Sequence, residues 1–473
     1  MTITPPPAIE PRTPEPPAKL RAPLLLRPHD TSKPPGDVTA AWVAVILLGH
    51  GLYGILLTRS AALATLHALV TFGVALWASF TSTMRRVAIV CTYMAGSEIL
   101  WRLGKALLPW EFVKYAIVLI MVITLARVRR LRWDWTAVTY FALLLPSTFL
   151  SFSEQPFEFA RQQVSFNMSG PLLLAVSTWF FSLLRPPRHD IQRLFLAILA
   201  PIVSLALVAV TRTASLEDLT FSDSSNFQTS AGYGPNQVST VFGLGVLLVI
   251  LLALLVEDRM RERLVYAAFA LFLGTLSALT FSRGGLFGAL GALLIASPLL
   301  ARGARGRMTL FIGAVVMVGV VNVIILPKLD SLTGGAIATR FQDTNPTGRD
   351  VLIKKELESF ADHPIFGTGP GSLDELNEEV SSSHTEFSRL PAQHGIFGIF
   401  ALACMLLIAW RDVRTQRSHA AKAISLALIA WSLLTMTHAA MRLAITPLAF
   451  GMAAALFMMT TPSREERTRE SPT

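Results

Sequence analysis

The sequence predicts an all-α protein that crosses a membrane many times and carries a helical cap between two of its late spans. Of its 473 residues, 52% are hydrophobic and only 15% are charged, and the mean hydropathy is +0.52. Soluble domains carry about 25% charged residues. Apolar runs of about 16–20 residues recur along the chain, and runs of this length cross a bilayer as helices. They do not alternate polar and apolar residues as the strands of a membrane barrel do.

The apolar runs predict a bundle of about 12–14 spans, because two pairs of runs have almost no loop between them. Those two pairs meet at residues 58–60 and 282–284. In chain order, the candidate spans are 40–57, 61–80, 87–103, 112–126, 136–152, 167–184, 194–210, 238–256, 264–281, 285–300, 309–326, 392–410, 423–439 and 443–460.

The distribution of basic residues predicts the orientation of the chain. Most of the 41 Lys and Arg residues fall in alternate connections between spans, together with the two terminal segments. Basic residues accumulate in cytoplasmic loops, so we expect both termini in the cytoplasm. This bias also accounts for the net charge of +10, without a nucleic-acid partner. Cys91 and Cys404 lie inside apolar runs, so we expect neither a disulfide nor a metal cluster.

Composition divides the chain into five segments. Residues 1–38 are Pro-rich and lack a compact apolar core, which predicts a disordered cytoplasmic tail without a cleavable signal peptide. Residues 39–326 form the predicted N-terminal transmembrane bundle, and 392–460 form the C-terminal transmembrane helices. Residues 327–391 form an external loop between them, and 461–473 form a second cytoplasmic tail.

Three polar segments lie on the predicted outer face, at residues 153–166, 211–237 and 327–391. The third is long enough to fold as a small helical cap. Apolar residues recur at helical spacing over residues 350–363, and the Gly-rich stretch 366–372 is typical of turns.

Several arginines stand on this outer face, against the usual charge bias. Arg283 lies between two apolar runs and is followed by two glycines, which allow a backbone or a ligand to approach closely. Arg212 and Arg161 stand near the ends of spans, and Arg349 stands at a predicted helix start. An arginine fork suits bidentate phosphate binding, so these side chains would converge on a diphosphate. The alternatives are a snorkelling side chain for Arg283 and structural or surface ion pairs for the others.

A histidine supplies the predicted chemistry. His384 ends the long outer loop, and a neutral imidazole accepts a proton from an attacking hydroxyl near pH 7. The alternative is an ordinary surface histidine, and His394 is expected to be a packing or interface residue. Asn236 and Gln237 open a helix, where they either cap it or bind a glycan hydroxyl or phosphate. Nucleotide-binding, serine-hydrolase and zinc-hydrolase motifs are absent from the sequence.

Four motifs together resemble the O-antigen ligase and O-antigen polymerase superfamily, membrane glycosyltransferases of the GT-C type. The first is His384-Thr385, nine residues, then Gly395-Ile-Phe-Gly398; Thr385 replaces the Asn, Ser or Gln that is usual in the family. The second is Gly-Arg, a helix and His-Pro-x-x-Gly-x-Gly over residues 348–369. The others are Ser282-Arg283-Gly284 and the Gly-Pro-Asn-Gln at 234–237. The resemblance covers roughly residues 205–440.

The resemblance implies an inverting, metal-independent glycosyltransferase of the bacterial inner membrane that needs no cofactor. Its donor would be a glycan on undecaprenyl diphosphate at the periplasmic face, and its acceptor a glycan or lipid A-core. By that analogy, His384 activates or orients the acceptor hydroxyl, with Thr385 as a positioning residue. Arg283 and Arg212 bind the diphosphate and stabilise its leaving charge. Other expected partners are membrane lipids and polysaccharide assembly proteins such as a flippase and a chain-length regulator.

Three functions stay open at this stage. A polymerase that joins exopolysaccharide or O-antigen repeat units is the leading hypothesis, because the first half of the chain departs from the family and the cytoplasmic tail is long. A ligase that moves the finished glycan to lipid A-core or to protein shares the same motifs. A transporter or flippase of lipid-linked glycans would place charged residues and broken helices at the membrane midplane instead.

Overall fold

The computed structural model describes residues 39–216, 225–255, 260–300, 308, 323, 326–342, 349–372 and 385–459. Seventeen α-helices lie in this part of the chain, which confirms the predicted all-α polytopic bundle. In order, α1 to α17 are Ala40–Leu57, Ala61–Thr81, Met84–Leu103, Phe112–Ala126, Trp135–Ala142, Thr148–Glu154, Phe157–Ser182, Arg188–Ala214, Pro235–Leu255, Met260–Leu279, Arg283–Leu300, Leu326–Leu332, Ala336–Gln342, Arg349–Asp362, Glu386–Thr415, His419–Met436 and Ile445–Met452.

Eight helices of the described part are long and apolar enough to cross a membrane: α2, α7, α8, α9, α10, α11, α15 and α16. Two further helices, α1 and α4, are apolar but shorter. The helix α3 has 20 residues, but it carries Glu98 and Arg102 in its last two turns and two arginines in its first. The expected total of about 12–14 spans remains a prediction, because nearly all of the candidate span 309–326 lies outside the described residues.

The helix α8 lies in the middle of the bundle, where it packs against α1, α3 and α9. In the most apolar 18-residue stretch of α8 and of α9, 78% of the stretch is buried, whereas in α2 and α11 the buried share is 28%. The outer helices are therefore apolar on the side that faces away from the protein, as with Trp77 and Leu294, which are 66% and 74% exposed. Helices that are apolar on all sides suit a lipid environment.

Two of the predicted spans differ from the structure. The expected single helix over 136–152 is broken into α5 and α6, and Pro146 lies in the break, where it provides no N–H for a continuous helix. The span expected over 443–460 is the short helix α17 followed by irregular backbone. There the backbone N–H of Leu456 donates to the carbonyl of Leu184 at 3.0 Å, so the chain leaves the helix without losing its hydrogen bonds.

Glycines allow α9 and α11 to cross closely. A Cβ added at Gly285 would clash with the carbonyl oxygen of Ser239, and one added at Gly243 would clash with the carbonyl oxygen of Gly285. Small residues at such crossings let helix backbones approach each other in a membrane protein. This contact sets the start of α11 directly against the start of α9.

The helices α12, α13 and α14 lie in sequence between α11 and α15, in the segment for which the cap is predicted. The helix predicted over 350–363 is observed as α14, Arg349–Asp362. Phe281 of the α10–α11 connection is fully buried with Leu329 and Ile337, and Nε of Arg340 donates to its carbonyl oxygen at 3.1 Å. These contacts attach α12 and α13 to the connection that leads into Arg283.

Candidate active site

The motif at Arg283 and the motif at Asn236 meet at one end of the bundle. The hydroxyl of Ser282 donates to Oδ1 of Asn236 at 2.7 Å, and the hydroxyl of Ser239 donates to the carbonyl oxygen of Ser282, also at 2.7 Å. Arg283 is the first residue of α11 and is half-buried. Gln237 follows Asn236 in the first turn of α9. Two motifs 46 residues apart in the sequence are thus joined by direct hydrogen bonds.

A histidine that the motifs did not single out lies against this junction. His438 follows the end of α16 and is 7% exposed, and its ring packs on the backbone of Gly284, where a Cβ would clash with it. Its Nδ1 lies 3.0 Å from the carbonyl oxygen of Leu434, so Nδ1 carries the proton and donates it. Its Nε2 lies 3.4 Å from the hydroxyl of Thr240. An imidazole is therefore held beside Arg283.

His384, the predicted acceptor-activating residue, lies outside the described residues. Its neighbour Thr385 is the N-cap of α15, and its Oγ1 accepts from the backbone N–H of Phe387 at 3.2 Å. The start of α15 contacts the same end of the bundle as Arg283, through residues that follow Thr385.

Those residues form a buried charged network. Glu386 and Arg389 are 1% and 4% exposed and form an ion pair. Nη1 of Arg389 also donates to Asn167 of α7 at 3.2 Å and to Gln393 at 2.7 Å. Oε1 of Glu386 accepts from the backbone N–H of Met441 at 2.9 Å. The start of α15 is thereby fixed to α7 and to the turn between α16 and α17.

The first half of the chain brings a second buried ion pair to the same turn. Oε2 of Glu98 accepts from the backbone N–H of Ala444 at 2.7 Å, and its Oε1 pairs with Arg102 at 2.6 Å. Nη1 of Arg102 donates to the hydroxyl of Tyr233 at 2.9 Å, two residues before the Pro235 that starts α9. Burial raises the pKa of Tyr233, so this phenol stays protonated at neutral pH.

These contacts connect the candidate-site residues into one closed ring. It runs from Asn236 through Ser282 and Gly284 to His438, along the α16–α17 turn to Ala444, and back through Glu98, Arg102 and Tyr233. We call Glu98 and Glu386 the carboxylate bracket, because each accepts a backbone N–H of that turn. A carboxylate that accepts a buried N–H forms a strong, charge-assisted hydrogen bond. The sequence signal for Glu98 and Arg102 was a charged pair inside an apolar run, which marks a site in a membrane protein.

The other three predicted arginines have different local settings. Arg212 donates from Nη1 to the carbonyl oxygen of Ala231 at 2.8 Å, so it holds the polar segment before α9. Arg161 pairs with Glu158 at 2.8 Å, on an exposed part of α7. Arg349 is the first residue of α14. The diphosphate-binding role of each remains a prediction.

A cavity of about 710 Å³ opens beside Arg161. Its walls are aromatic at Trp110, Phe112, Tyr115 and Phe166 and polar at Gln163 and Arg161, and Leu119 lines its apolar part. The carboxylate of Glu111 lines it as well and pairs with the fully buried Lys114 at 2.7 Å. A cavity that combines polar and aromatic walls suits an amphipathic ligand.

The paired glycines of the first motif have a structural role. Gly395 lies near the start of the expected span 392–410 and breaks α15 with a φ of +60°. The Gly-rich turn docks into this break: the backbone N–H of Gly369 donates to the carbonyl oxygen of Gln393 at 2.9 Å, and that of Ile396 to Pro364 at 2.8 Å. A Cβ at Gly395 would clash with Ile365. His394 is fully buried against the hydroxyl of Ser147, in agreement with the packing role expected of it.

The fold and the site define a multi-pass, all-α membrane protein with a polar, arginine-bearing site at one end of its helices. Residues 267–403 match the family model described as O-antigen ligase. This match confirms the resemblance of that segment to the O-antigen ligase and polymerase superfamily. A search of curated proteins finds no match to the chain.

The matched segment runs from α10 into α15 and contains Arg283, Arg349 and the whole stretch from His384 to Gly398. The match supports a membrane enzyme that processes glycans, of the glycosyltransferase type. The carboxylate bracket is only partly inside it, since Glu98 and the α16–α17 turn both lie outside the match.

Proposed function

We propose that the chain transfers a glycan from undecaprenyl diphosphate to an acceptor hydroxyl at the periplasmic face of the bacterial inner membrane. The observation that carries this proposal is the junction of Ser282-Arg283-Gly284 with Asn236 and His438, which forms part of the ring of contacts described above. An enzyme that acts on a lipid diphosphate needs fixed positive charge where the leaving phosphate develops negative charge. The O-antigen ligase domain supports the same chemistry.

The proposed reaction is a single displacement that inverts the anomeric carbon. The acceptor oxygen forms a bond to the anomeric carbon while the bond from that carbon to the diphosphate oxygen breaks. The hydroxyl proton passes to His384, and undecaprenyl diphosphate leaves with its charge held by Arg283, Arg212, Arg161 and Arg349. Asn236, Gln237 and Thr385 position the glycan. The activated donor supplies the energy, so the proposal requires neither metal nor nucleotide.

The cavity beside Arg161 supports a lipid-linked donor. Its aromatic and apolar walls suit the first isoprene units, and its polar lining includes Arg161 and Gln163. The exposed surfaces of α2 and α4 next to it are apolar, as at Leu69 and Leu119, so a lipid has access from the side.

Two acceptors fit this donor chemistry, and we propose the polymerase function first. A polymerase adds repeat units of exopolysaccharide or O-antigen to a second lipid-linked glycan. The second candidate is a ligase that uses lipid A-core or a protein, which the description of the matched family favours. In both cases residues 327–391 act as a periplasmic cap between the bundle 39–326 and the helices of 392–460, with cytoplasmic tails at 1–38 and 461–473.

Purified protein in proteoliposomes with a lipid-linked glycan tests the proposal. We expect His384→Ala and Arg283→Ala each to abolish transfer without loss of membrane insertion. Matched controls at the other end of the bundle, His189→Ala and Arg130→Ala, should transfer at the wild-type rate. Wild-type product from either site variant would refute the site.

The product separates the two acceptors. A polymerase yields a ladder of longer lipid-linked glycans without any added acceptor, whereas a ligase yields one shifted product only when lipid A-core or protein is supplied. Movement of the lipid-linked glycan across the membrane without a new glycosidic bond would instead indicate a transporter. A reporter fused after Gly371 should be active in the periplasm, and cytoplasmic activity would contradict the orientation.

A further inference from the structure

A second polar pocket lies at the end of the bundle opposite the candidate active site. It has a volume of about 450 Å³ and lies among the start of α5, the ends of α7 and α15 and the chain after α17. The arginines that line it are Arg132, Arg185, Arg411 and Arg417. The proposed glycan transfer does not involve these four arginines.

Three of these arginines are available to a ligand. Arg411 pairs with Asp134 at 2.7 Å and with Asp412 at 2.8 Å, so its positive charge partly neutralises these two acids of the pocket. Within the described residues, Arg132, Arg185 and Arg417 form no ion pair, and all three are exposed. The lining therefore keeps a net positive charge from three guanidinium groups, the side chain best suited to a phosphate.

Besides these charged residues and the hydroxyl side chains of Thr136, Ser182 and Thr415, the lining is apolar or aromatic. Trp133 and Trp135 are 53% and 68% exposed, and Trp133 stacks on Trp179 with ring centroids 4.5 Å apart. Leu183 and Leu456 also line the pocket. Tryptophan rings at the ends of spans lie at the level of lipid headgroups. A pocket that binds only a free anion does not require this tryptophan and leucine lining.

We propose that this pocket binds the headgroup of an anionic phospholipid, with its phosphate diester between Arg132, Arg185 and Arg417 and its glycerol and first methylenes against Trp133 and Trp135. Basic pockets between helices at a membrane surface bind such headgroups. The site does not depend on the reaction at the other end of the bundle. A bound lipid would link the start of α5, the end of α7 and the end of α15.

A titration followed by native mass spectrometry tests the site. The full chain in detergent, stripped of lipid, is titrated with phosphatidylglycerol and with phosphatidylcholine. We expect one tightly bound phosphatidylglycerol. Each basic side chain near a membrane surface strengthens binding about fivefold. The triple variant Arg132→Gln, Arg185→Gln, Arg417→Gln should therefore bind phosphatidylglycerol about 100-fold more weakly.

The triple variant Arg86→Gln, Arg129→Gln, Arg130→Gln is the matched control. These arginines are exposed beside spans near the same end of the bundle and do not line the pocket. It should bind phosphatidylglycerol as the wild type does, and a loss equal to that of the pocket variant would overturn the proposal. Equal binding of the two lipids, or unchanged binding by the pocket variant, would also overturn it. Displacement of the lipid by low millimolar inorganic phosphate would assign the pocket to a free anion instead.

Discussion

Replacement of Glu98 by alanine should destabilise the protein and slow glycan transfer. The Glu98 side chain is 1% exposed and Arg102 is 10% exposed, so the variant leaves a buried guanidinium without its carboxylate. Loss of one partner of a buried ion pair costs about 3–5 kcal/mol. We expect the lower value, about 3 kcal/mol, because Arg102 keeps its bonds to Tyr233 and to the carbonyl oxygen of Trp110.

The second effect concerns the α16–α17 turn. Without Glu98, the buried N–H of Ala444 loses its acceptor, so the turn that starts at His438 is less well fixed against Gly284. We expect a lower turnover number with little change in KM for the donor, because the arginines proposed to bind the donor are unchanged. Glu98→Gln keeps an acceptor for Ala444 but not the charge, so it should recover part of the activity.

Three measurements test this reasoning. Thermal unfolding in detergent gives stability, transfer kinetics give turnover and KM, and hydrogen exchange reports the amide of Ala444, which should exchange faster in Glu98→Ala. The control is Glu158→Ala, which removes an exposed ion pair with Arg161 that contributes at most about 1 kcal/mol. A folded Glu98→Ala variant with a protected Ala444 amide and wild-type turnover would refute the role of the carboxylate bracket.

Three further predictions follow from single contacts. Gly285→Ala should lower the unfolding temperature and abolish transfer, because the added methyl group would clash with the carbonyl of Ser239. The control Gly73→Ala, which adds a methyl group in open space, should leave both unchanged. Equal stabilities of the two variants would contradict the close α9–α11 crossing. His438→Asn should insert normally but lower turnover at least tenfold (about 1.4 kcal/mol in the barrier), and an unchanged rate would remove His438 from the site. Gly395→Ala should loosen the docked Gly-rich turn, which faster proteolysis within residues 363–372 would report.

Patterns among neighbouring residues predicted much of the fold. Apolar runs and helical spacing are properties of neighbouring residues, so the all-α membrane bundle and the helix α14 could be read before any contact was known. The break of the span 136–152 was missed because its apolar composition concealed the effect of Pro146. The position of Gly395 in a break of α15 was missed because it depends on the turn that docks there.

The sequence by itself determined the class of protein, the order of its motifs and the presence of arginines on the predicted outer face, because hydropathy, turns and charge bias are local along the chain. Only the tertiary structure decided which residues meet. Glu98 and Ala444 are 346 residues apart in the sequence and 2.7 Å apart in the fold. Such a contact depends on the packing of α3 against the α16–α17 turn, which no local pattern encodes. For the same reason His438 became part of the site only when α16 was packed against α11.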